Sequence, residues 1–298
     1  VNSLRQLLAL HDIRPRKRLG QSFLEDMNVT RRIASLAEPS EGDTIVEIGA
    51  GLGFLTEELA RKAGKVIALE IDPRLLDVLR RRFTGNPGVE IVDADVLRYD
   101  FSAVSRGRRI KVVGNVPYRI STPILFRLLD FRRWIQCMIL MFQKELAERI
   151  AAPPGTKDYG IPSVLAARYA SVFRELTVPP ACFYPRPSVD SSVLRVVMKD
   201  DPGMLPGEDL LFTRVVRAAF ATRRKTLRNN LRAAGFPEET LDRVFQETGI
   251  DAGRRAETLS VEEFARLSVG LAGAVCRRPP GTEKTGESEK NLDMAGEI

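Results

Sequence analysis

Residues 41–64 read EGDTIVEIGAGLGFLTEELARKAG. The run Thr44 to Ile48 is β-branched apart from Glu47, as suits a buried strand. It leaves through Gly49, Gly51 and Gly53, which permit a tight turn and close approach of the backbone to a ligand. A helical pattern follows from Phe54. Strand, glycine turn and helix together predict the first βα unit of a parallel sheet. The turn is not a P-loop, because no Gly-Lys-Ser/Thr follows, and Phe54 stands where a G-x-G-x-x-G motif would have its last glycine.

The same alternation continues in both directions. KVIALEID (65–72) is a strand and PRLLDVLRRRF (73–83) a helix. GVEIVDADV (88–96) and RIKVVGN (109–115) are two more strands, and TPILFRLLD (122–130) is helical. IQCMILMFQ (135–143) is a fifth strand running into KELAERI (144–150). VLAARYASVFRELTV (164–178) combines a helix and a strand, and SSVLRVVMK (191–199) predicts a late antiparallel strand. This is an α/β, Rossmann-like domain over about 1–200. DDPGMLPGED (200–209) reads as a linker. Three further helical stretches, 209–235, 237–249 and 260–275, predict a small all-α domain over about 205–275. The Pro/Gly/charge-rich 277–298 has little to bury and is expected to be disordered.

Composition narrows the chemistry. The chain has 298 residues and is 44% hydrophobic, enough for a substantial core. No stretch has membrane-span length and residues 4–10 do not form a signal sequence, so a cytoplasmic protein is expected. Cys137, Cys182 and Cys276 are too scattered for a disulfide framework or metal site. His11 is the one histidine, which nearly excludes His-based triads and His-ligated metals. The net charge of +7 favours a polyanionic partner.

Polar groups recur at strand ends: Glu47 at the glycine turn, then Glu70, Asp93 and Asp95, and Asn115. In an open α/β sheet these ends converge on one crevice. An acid at Glu70 suits ribose hydroxyls. Glu47, Asp93 and Asp95 would repel a pyrophosphate but tolerate a cationic ligand. S-adenosylmethionine has that chemistry: a sulfonium, an ammonium, ribose hydroxyls and an adenine amine, the last suited by Asp95.

The fourth strand then leaves through Asn115, Val116, Pro117 and Tyr118. The exocyclic amine of adenine is a poor nucleophile, because its lone pair is delocalised into the ring. An asparagine oxygen and a backbone carbonyl can accept its two hydrogens and favour a more tetrahedral nitrogen. Pro117 would stiffen the carbonyl, and Tyr118 offers a face for a flipped base.

These blocks resemble the ribosomal RNA adenine N6-dimethyltransferase family, in particular its small-subunit branch. RKRLGQSFLED (16–26) resembles its Gly-Gln-Asn-Phe-Leu motif, VEIGAGLGFLT (46–56) its cofactor motif and NVPYRISTPIL (115–125) its catalytic motif. MFQKELAERI, YGIPSVLAARY and CFYPRPSVDSSVLR match further blocks. AFATRRKTLRNNL and RAETLSVEEFARL match its C-terminal domain, so the likeness spans residues 16 to about 270. It implies S-adenosylmethionine contacts at Ser22, Leu24, Gly49, Gly51, Glu70, Asp95 and Asn115. It implies a target-amine site at Asn115, Pro117 and Tyr118, with Phe183 stacking on the target adenine. Ser22 stands where the family usually has asparagine. The implied reaction is dimethylation of two adjacent adenosines near the 3′ end of small-subunit ribosomal RNA, by a monomer acting on a pre-ribosomal small subunit.

Arg214, Arg217, Arg223, Arg224, Lys225, Arg228 and Arg232 fall in one predicted helical segment with no acid among them. Val216, Phe220, Leu227 and Leu231 would face the core. A face of one sign favours an RNA backbone over plain solvation, with Arg217, Arg223, Arg224, Lys225 and Arg228 as contacts. Arg16, Lys17 and Arg18 form a second basic patch. A large-subunit dimethylase would lack the two C-terminal blocks, and a small-molecule methyltransferase would not need the basic helix. A non-catalytic assembly factor would be expected to lose Asn115 or the acids.

Overall fold

The strands predicted as buried form one seven-stranded sheet in the computed structural model, which describes residues 3–16, 19–105, 107–200 and 206–276. The chain begins with helix α1 (Leu4–Leu10), strand β1 (Phe23–Leu24) and α2 (Met27–Leu36). Four units follow: β2 (Thr44–Ile48) with α3 (Phe54–Ala60), β3 (Lys65–Glu70) with α4 (Pro73–Arg82), β4 (Val89–Asp93) with a 3₁₀ turn (Phe101–Val104), and β5 (Ile110–Asn115) with α5 (Ser121–Asp130). Next come β6 (Ile135–Gln143), α6 (Lys144–Ile150), α7 (Ile161–Tyr169), β7 (Ala170–Val178), β8 (Phe183–Tyr184) and β9 (Ser191–Met198). The chain closes with α8 (Pro206–Ala219), α9 (Leu227–Ala233), α10 (Glu238–Thr248) and α11 (Val261–Cys276).

The sheet order is β4-β3-β2-β5-β6-β9-β7. The strands β4 to β6 are parallel, and β9 runs antiparallel to both β6 and β7. Ile45, Val46, Val66, Ile67, Val112 and Val113 are all fully or nearly fully buried, because helices cover both faces of the parallel strands. From β2 the chain winds outward through β3 and β4, then returns to β5 on the other side of β2. That reversal opens a crevice at the carboxyl ends of β2 and β5. These two strands approach closely because position 114 is glycine: a Cβ there would lie 2.8 Å from the Ile48 carbonyl.

The C-terminal helices dock on the sheet domain through a continuous apolar cluster. Phe212, Val215 and Val216 of α8 share it with Ile124 and Leu125 of α5 and Val164 of α7. Tyr169 meets Phe212 edge-on at 6.3 Å and donates to Asp209 at 3.0 Å.

Two expectations change. The predicted helix over 209–235 is two helices. Thr226 caps the start of α9 by accepting from Asn229 N, and Asn230 Nδ2 donates to the carbonyls of Ala219 and Thr222, closing the end of α8. Part of the expected linker is helical, since Pro206–Asp209 form the first turn of α8, with proline tolerated there. Lys17, Arg18 and the expected tail 277–298 lie outside the described residues.

Candidate active site

The crevice between β2 and β5 has a volume of about 330 Å³. Ser22, Gly49, Gly51, Glu70, Asp95, Asn115, Pro117 and Tyr118 all line it. Seven residues that the sequence pattern pointed to, and Ser22, which the family resemblance implied, therefore meet in one place. They come from the ends of four strands and from the irregular arm that precedes β1.

Glu70 builds the cofactor-side wall. Its Oε2 accepts from Gly51 N at 2.9 Å, and its Oε1 accepts from Ile71 N and Asp72 N at 2.9 and 3.0 Å. It therefore splices the glycine turn to the exit of β3. Gly49 and Gly51 hold the turn at φ +71° and +60°, which a side chain would strain. Burial pushes the Glu70 carboxyl upward, opposed by its three backbone donors. With four acceptor sites and three donors, Glu70 keeps capacity on Oε2 for a ligand hydroxyl.

Asp95 enters from beyond β4. Its Oδ1 accepts from Leu97 N at 2.9 Å, and Ile71, Val96 and Leu97 supply apolar wall around it. Asp93 is exposed at the end of β4 and lies outside the crevice lining. Glu47 departs further from expectation. It is 1% exposed, accepts from Thr56 Oγ1 at 2.5 Å, and lies behind the glycine turn. Burial raises its pKa to about 8, so at neutral pH it is mostly uncharged and adds little negative charge.

The turn after β5 is held at several points. Asn115 Nδ2 donates to the Ser22 carbonyl at 2.8 Å. A carbonyl can only accept, so this contact sets the amide's orientation and leaves Oδ1 as a free acceptor. Val116 N donates to Met141 O at 3.2 Å. The Pro117 carbonyl is already engaged by Ile120 N and Ser121 Oγ, both at 3.1 Å, so Val116 supplies the open carbonyl of the turn. The Tyr118 hydroxyl meets Ser191 Oγ at 2.6 Å, and burial raises its pKa. Arg119, exposed on the crevice lining, was not singled out from sequence.

Ser22 holds its place through both its side chain and its main chain. Its hydroxyl donates to the Pro185 carbonyl at 2.8 Å, so its backbone carbonyl makes the contact to Asn115. Leu24 misses the main crevice and lines an adjoining small pocket with Gly49, Gly51 and Asn115. Phe183 is a correction. It is 0% exposed, paired in the β1–β8 ladder and packed with Ile33, Ile139 and Val193, so its ring is not presented for stacking. A two-residue strand alternates its faces, and the inward face falls on Phe183.

The basic helical face is also corrected. Arg228 pairs with Glu238 at 3.0 Å and with Asp242, both from α10. Arg223 pairs with Glu257 at 2.9 Å, and Arg232 lies 3.6 Å from Glu238. Acids remote in sequence thus partly neutralise the run. Arg217 sits over Phe126 at 5.5 Å. Arg224 and Lys225 are exposed in the loop between α8 and α9 and have no ion pair among the described residues.

The crevice fits S-adenosylmethionine on its own chemistry. Glu70 retains an acceptor for ribose hydroxyls, Asp95 lies against an apolar slab suited to adenine, and the glycine turn admits close backbone approach. Among the described residues no group of histidine, cysteine and carboxylate side chains could hold a metal. Fold and crevice together define an S-adenosylmethionine-dependent methyltransferase of the Rossmann-like class. The family model described as ribosomal RNA adenine dimethylase matches residues 13–272, and the chain belongs to that family. It is 46% identical over 275 residues to the ribosomal RNA small subunit methyltransferase A of Syntrophus aciditrophicus, covering 90% of this chain and 98% of that one. It is 48% identical over 268 residues to the protein of the same name from Geobacter sulfurreducens, covering 88% and 97%. The solved dimethyladenosine transferase from Plasmodium falciparum superposes with a TM-score of 0.75 at 25% identity, over 84% of this chain and 98% of that one. The 23S ribosomal RNA methyltransferase ErmE gives 0.64 at 27% identity, over 84% and 99%. The chain is an S-adenosylmethionine-dependent ribosomal RNA adenine dimethyltransferase.

Proposed function

We propose that the enzyme dimethylates N6 of two adjacent adenosines near the 3′ end of small-subunit ribosomal RNA, acting as a cytoplasmic monomer on a pre-ribosomal small subunit. The observation that carries the chemistry is the Asn115 amide, oriented by its donation to the Ser22 carbonyl, which leaves its oxygen as an acceptor in the same turn as the Val116 carbonyl. Two fixed acceptors suit the two hydrogens of one exocyclic amine. Accepting from both draws the nitrogen toward tetrahedral geometry and localises its lone pair for attack. Preorganised acceptors of this kind stabilise charge that develops only in the transition state.

Glu70 would accept from the ribose hydroxyls, Asp95 from the adenine amine, and the turn at Gly49 and Gly51 would lie along the cofactor. When bound, S-adenosylmethionine supplies the electrophilic methyl group. Tyr118 would stack on the flipped target base, its ring held by the bond to Ser191. Arg224, Lys225 and Arg217 would contact the RNA backbone. Similarity over 88–90% of the chain to proteins named small subunit methyltransferase A supports the small subunit as substrate.

The test is direct. Small and large subunits lacking these modifications are incubated with labelled S-adenosylmethionine, and the methylated bases are mapped. Two adjacent dimethyladenosines near the 3′ end of the small-subunit RNA are expected. Label confined to large-subunit RNA would replace this reading with the large-subunit one.

A further inference from the structure

The arm before β1 crosses the mouth of the crevice, and Leu19, Gly20, Gln21 and Ser22 line it. Upstream, Leu4, Leu8 and Ile13 bury against Leu52 and Leu75. Downstream, Phe23 enters the ladder with Tyr184. Between these anchors the described residues of the arm pair with no strand. Gly20 lies against the catalytic turn, where an added Cβ would sit 3.6 Å from Pro117 Cβ.

Gln21 ties this span down. Its Nε2 donates to Asp72 Oδ2 at 2.9 Å, and its Oε1 accepts from Arg16 N at 2.7 Å. Asp72 does not depend on that bond. It is fully buried, caps α4, and accepts from Arg74 N, Nε and Nη2 at 3.2, 3.0 and 2.6 Å. The contact therefore serves the arm. The residue after Gln21 is Ser22, whose carbonyl receives the Asn115 amide at 2.8 Å. At the other end, Asp72 N donates to Glu70 at 3.0 Å. Hydrogen bonds thus link the carboxylate of the cofactor wall to Asp72 and Gln21, and the peptide bond to Ser22 carries the path on to the asparagine of the catalytic turn.

We propose that Gln21 is a positioning residue for methyl transfer, which by fixing the arm fixes the Ser22 carbonyl and through it the orientation of the Asn115 amide. The inference rests on the amine-orienting role given above for Asn115. Ser22 is also held by its own hydroxyl on the Pro185 carbonyl, and Arg16 reaches Asp72 at 3.8 Å, so losing Gln21 loosens the Ser22 acceptor from one side, and the amide is then free to turn its nitrogen into the crevice. A donor then faces the target amine where an acceptor is required.

The test uses full-length Gln21→Ala and Gln21→Asn, the second keeping the amide but one methylene too short to span Asp72 and Arg16 N. Methyl transfer to unmodified small subunits is measured at saturating S-adenosylmethionine and RNA, with the KM for RNA alongside. Both variants should lose about 10- to 100-fold in kcat, as expected for misplaced reacting groups, while the KM for RNA stays within about twofold. In an Asn115→Ala background, Gln21→Ala should lower kcat no further, because the group it positions is gone. Wild-type kcat in either variant at saturating cofactor would overturn the proposal, leaving Gln21 only a clasp over the cofactor. Fully multiplicative losses in the double variant would overturn it as well. A wild-type enzyme unable to methylate small-subunit RNA would instead defeat the functional reading itself.

Discussion

The side-chain amide of Asn115 donates to the backbone carbonyl of Ser22 at 2.8 Å, joining residues 93 positions apart. The contact makes the catalytic turn and the N-terminal arm one unit. It also explains how a serine can serve at position 22. The bond uses the main chain of residue 22, and the Ser22 hydroxyl is spent on the Pro185 carbonyl.

Glu70 is both wall and ligand, so its neutral isostere should fail. Each oxygen accepts at least one backbone N–H, and the NH₂ of glutamine can accept none. Glu70→Gln should weaken S-adenosylmethionine binding by about 1–3 kcal/mol, as should Glu70→Ala. Calorimetry on the folded variants checks this. Wild-type affinity in Glu70→Gln would mean that the ligand does not depend on this carboxylate.

Tyr118→Phe keeps the ring but strands Ser191, which is fully buried. The variant should lose about 1–3 kcal/mol of stability and less than about tenfold in kcat. Tyr118→Ala, with no ring to stack, should lose far more activity than Tyr118→Phe. Thermal melts and kcat on the two variants separate these effects. Equal kcat in both would remove the stacking role.

Glu47 predicts a pH signature. Its folded-state pKa of about 8 lies above the ordinary 4.5, so the native state holds the proton more tightly than the unfolded chain. Stability associated with this group is therefore present below about pH 4.5 and is lost as pH rises toward 8. Glu47→Gln should leave stability nearly unchanged at pH 5 and raise it at pH 8. Denaturant melts at the two values check the sign. A variant equally destabilised at both would show that the carboxyl itself, through Thr56, is required.

The basic loop should divide by pairing. Arg224→Ala with Lys225→Ala should weaken RNA binding and flatten its salt dependence by up to about 0.9 per lost phosphate contact. Arg228→Ala should change the slope less, because that guanidinium is already paired with Glu238 and Asp242. Cofactor affinity should not move. Equal salt slopes in the wild type and the double variant would reduce the loop to a solvated surface.

The crevice was legible because βα spacing delivers strand ends to one place. Glu70, Asp95 and Asn115 fall at such ends, and the glycine turn marks the first. What was hidden depends on partners remote in the chain. Phe183 faces inward because the β1–β8 ladder turns it there, and no local pattern reports the face of a two-residue strand. The arginines of α9 read as one-sign because their acids lie on α10, past Gly235 and Pro237. Thr226 was a visible cap signal, and reading it would have split the long helix. Asp72, directly before Pro73, likewise had the look of a helix cap. That it also receives Gln21 depends on the fold of the arm.

The central claim is that Asn115 orients the target amine through its side-chain oxygen. Single-turnover transfer of methyl groups to unmodified small subunits, at saturating S-adenosylmethionine, tests it in Asn115→Ala against the wild type. The account predicts a loss on the order of 100-fold or more in the rate of N6 methylation, with RNA affinity retained. An Asn115→Ala enzyme that dimethylated its adenosines at near-normal speed would contradict it.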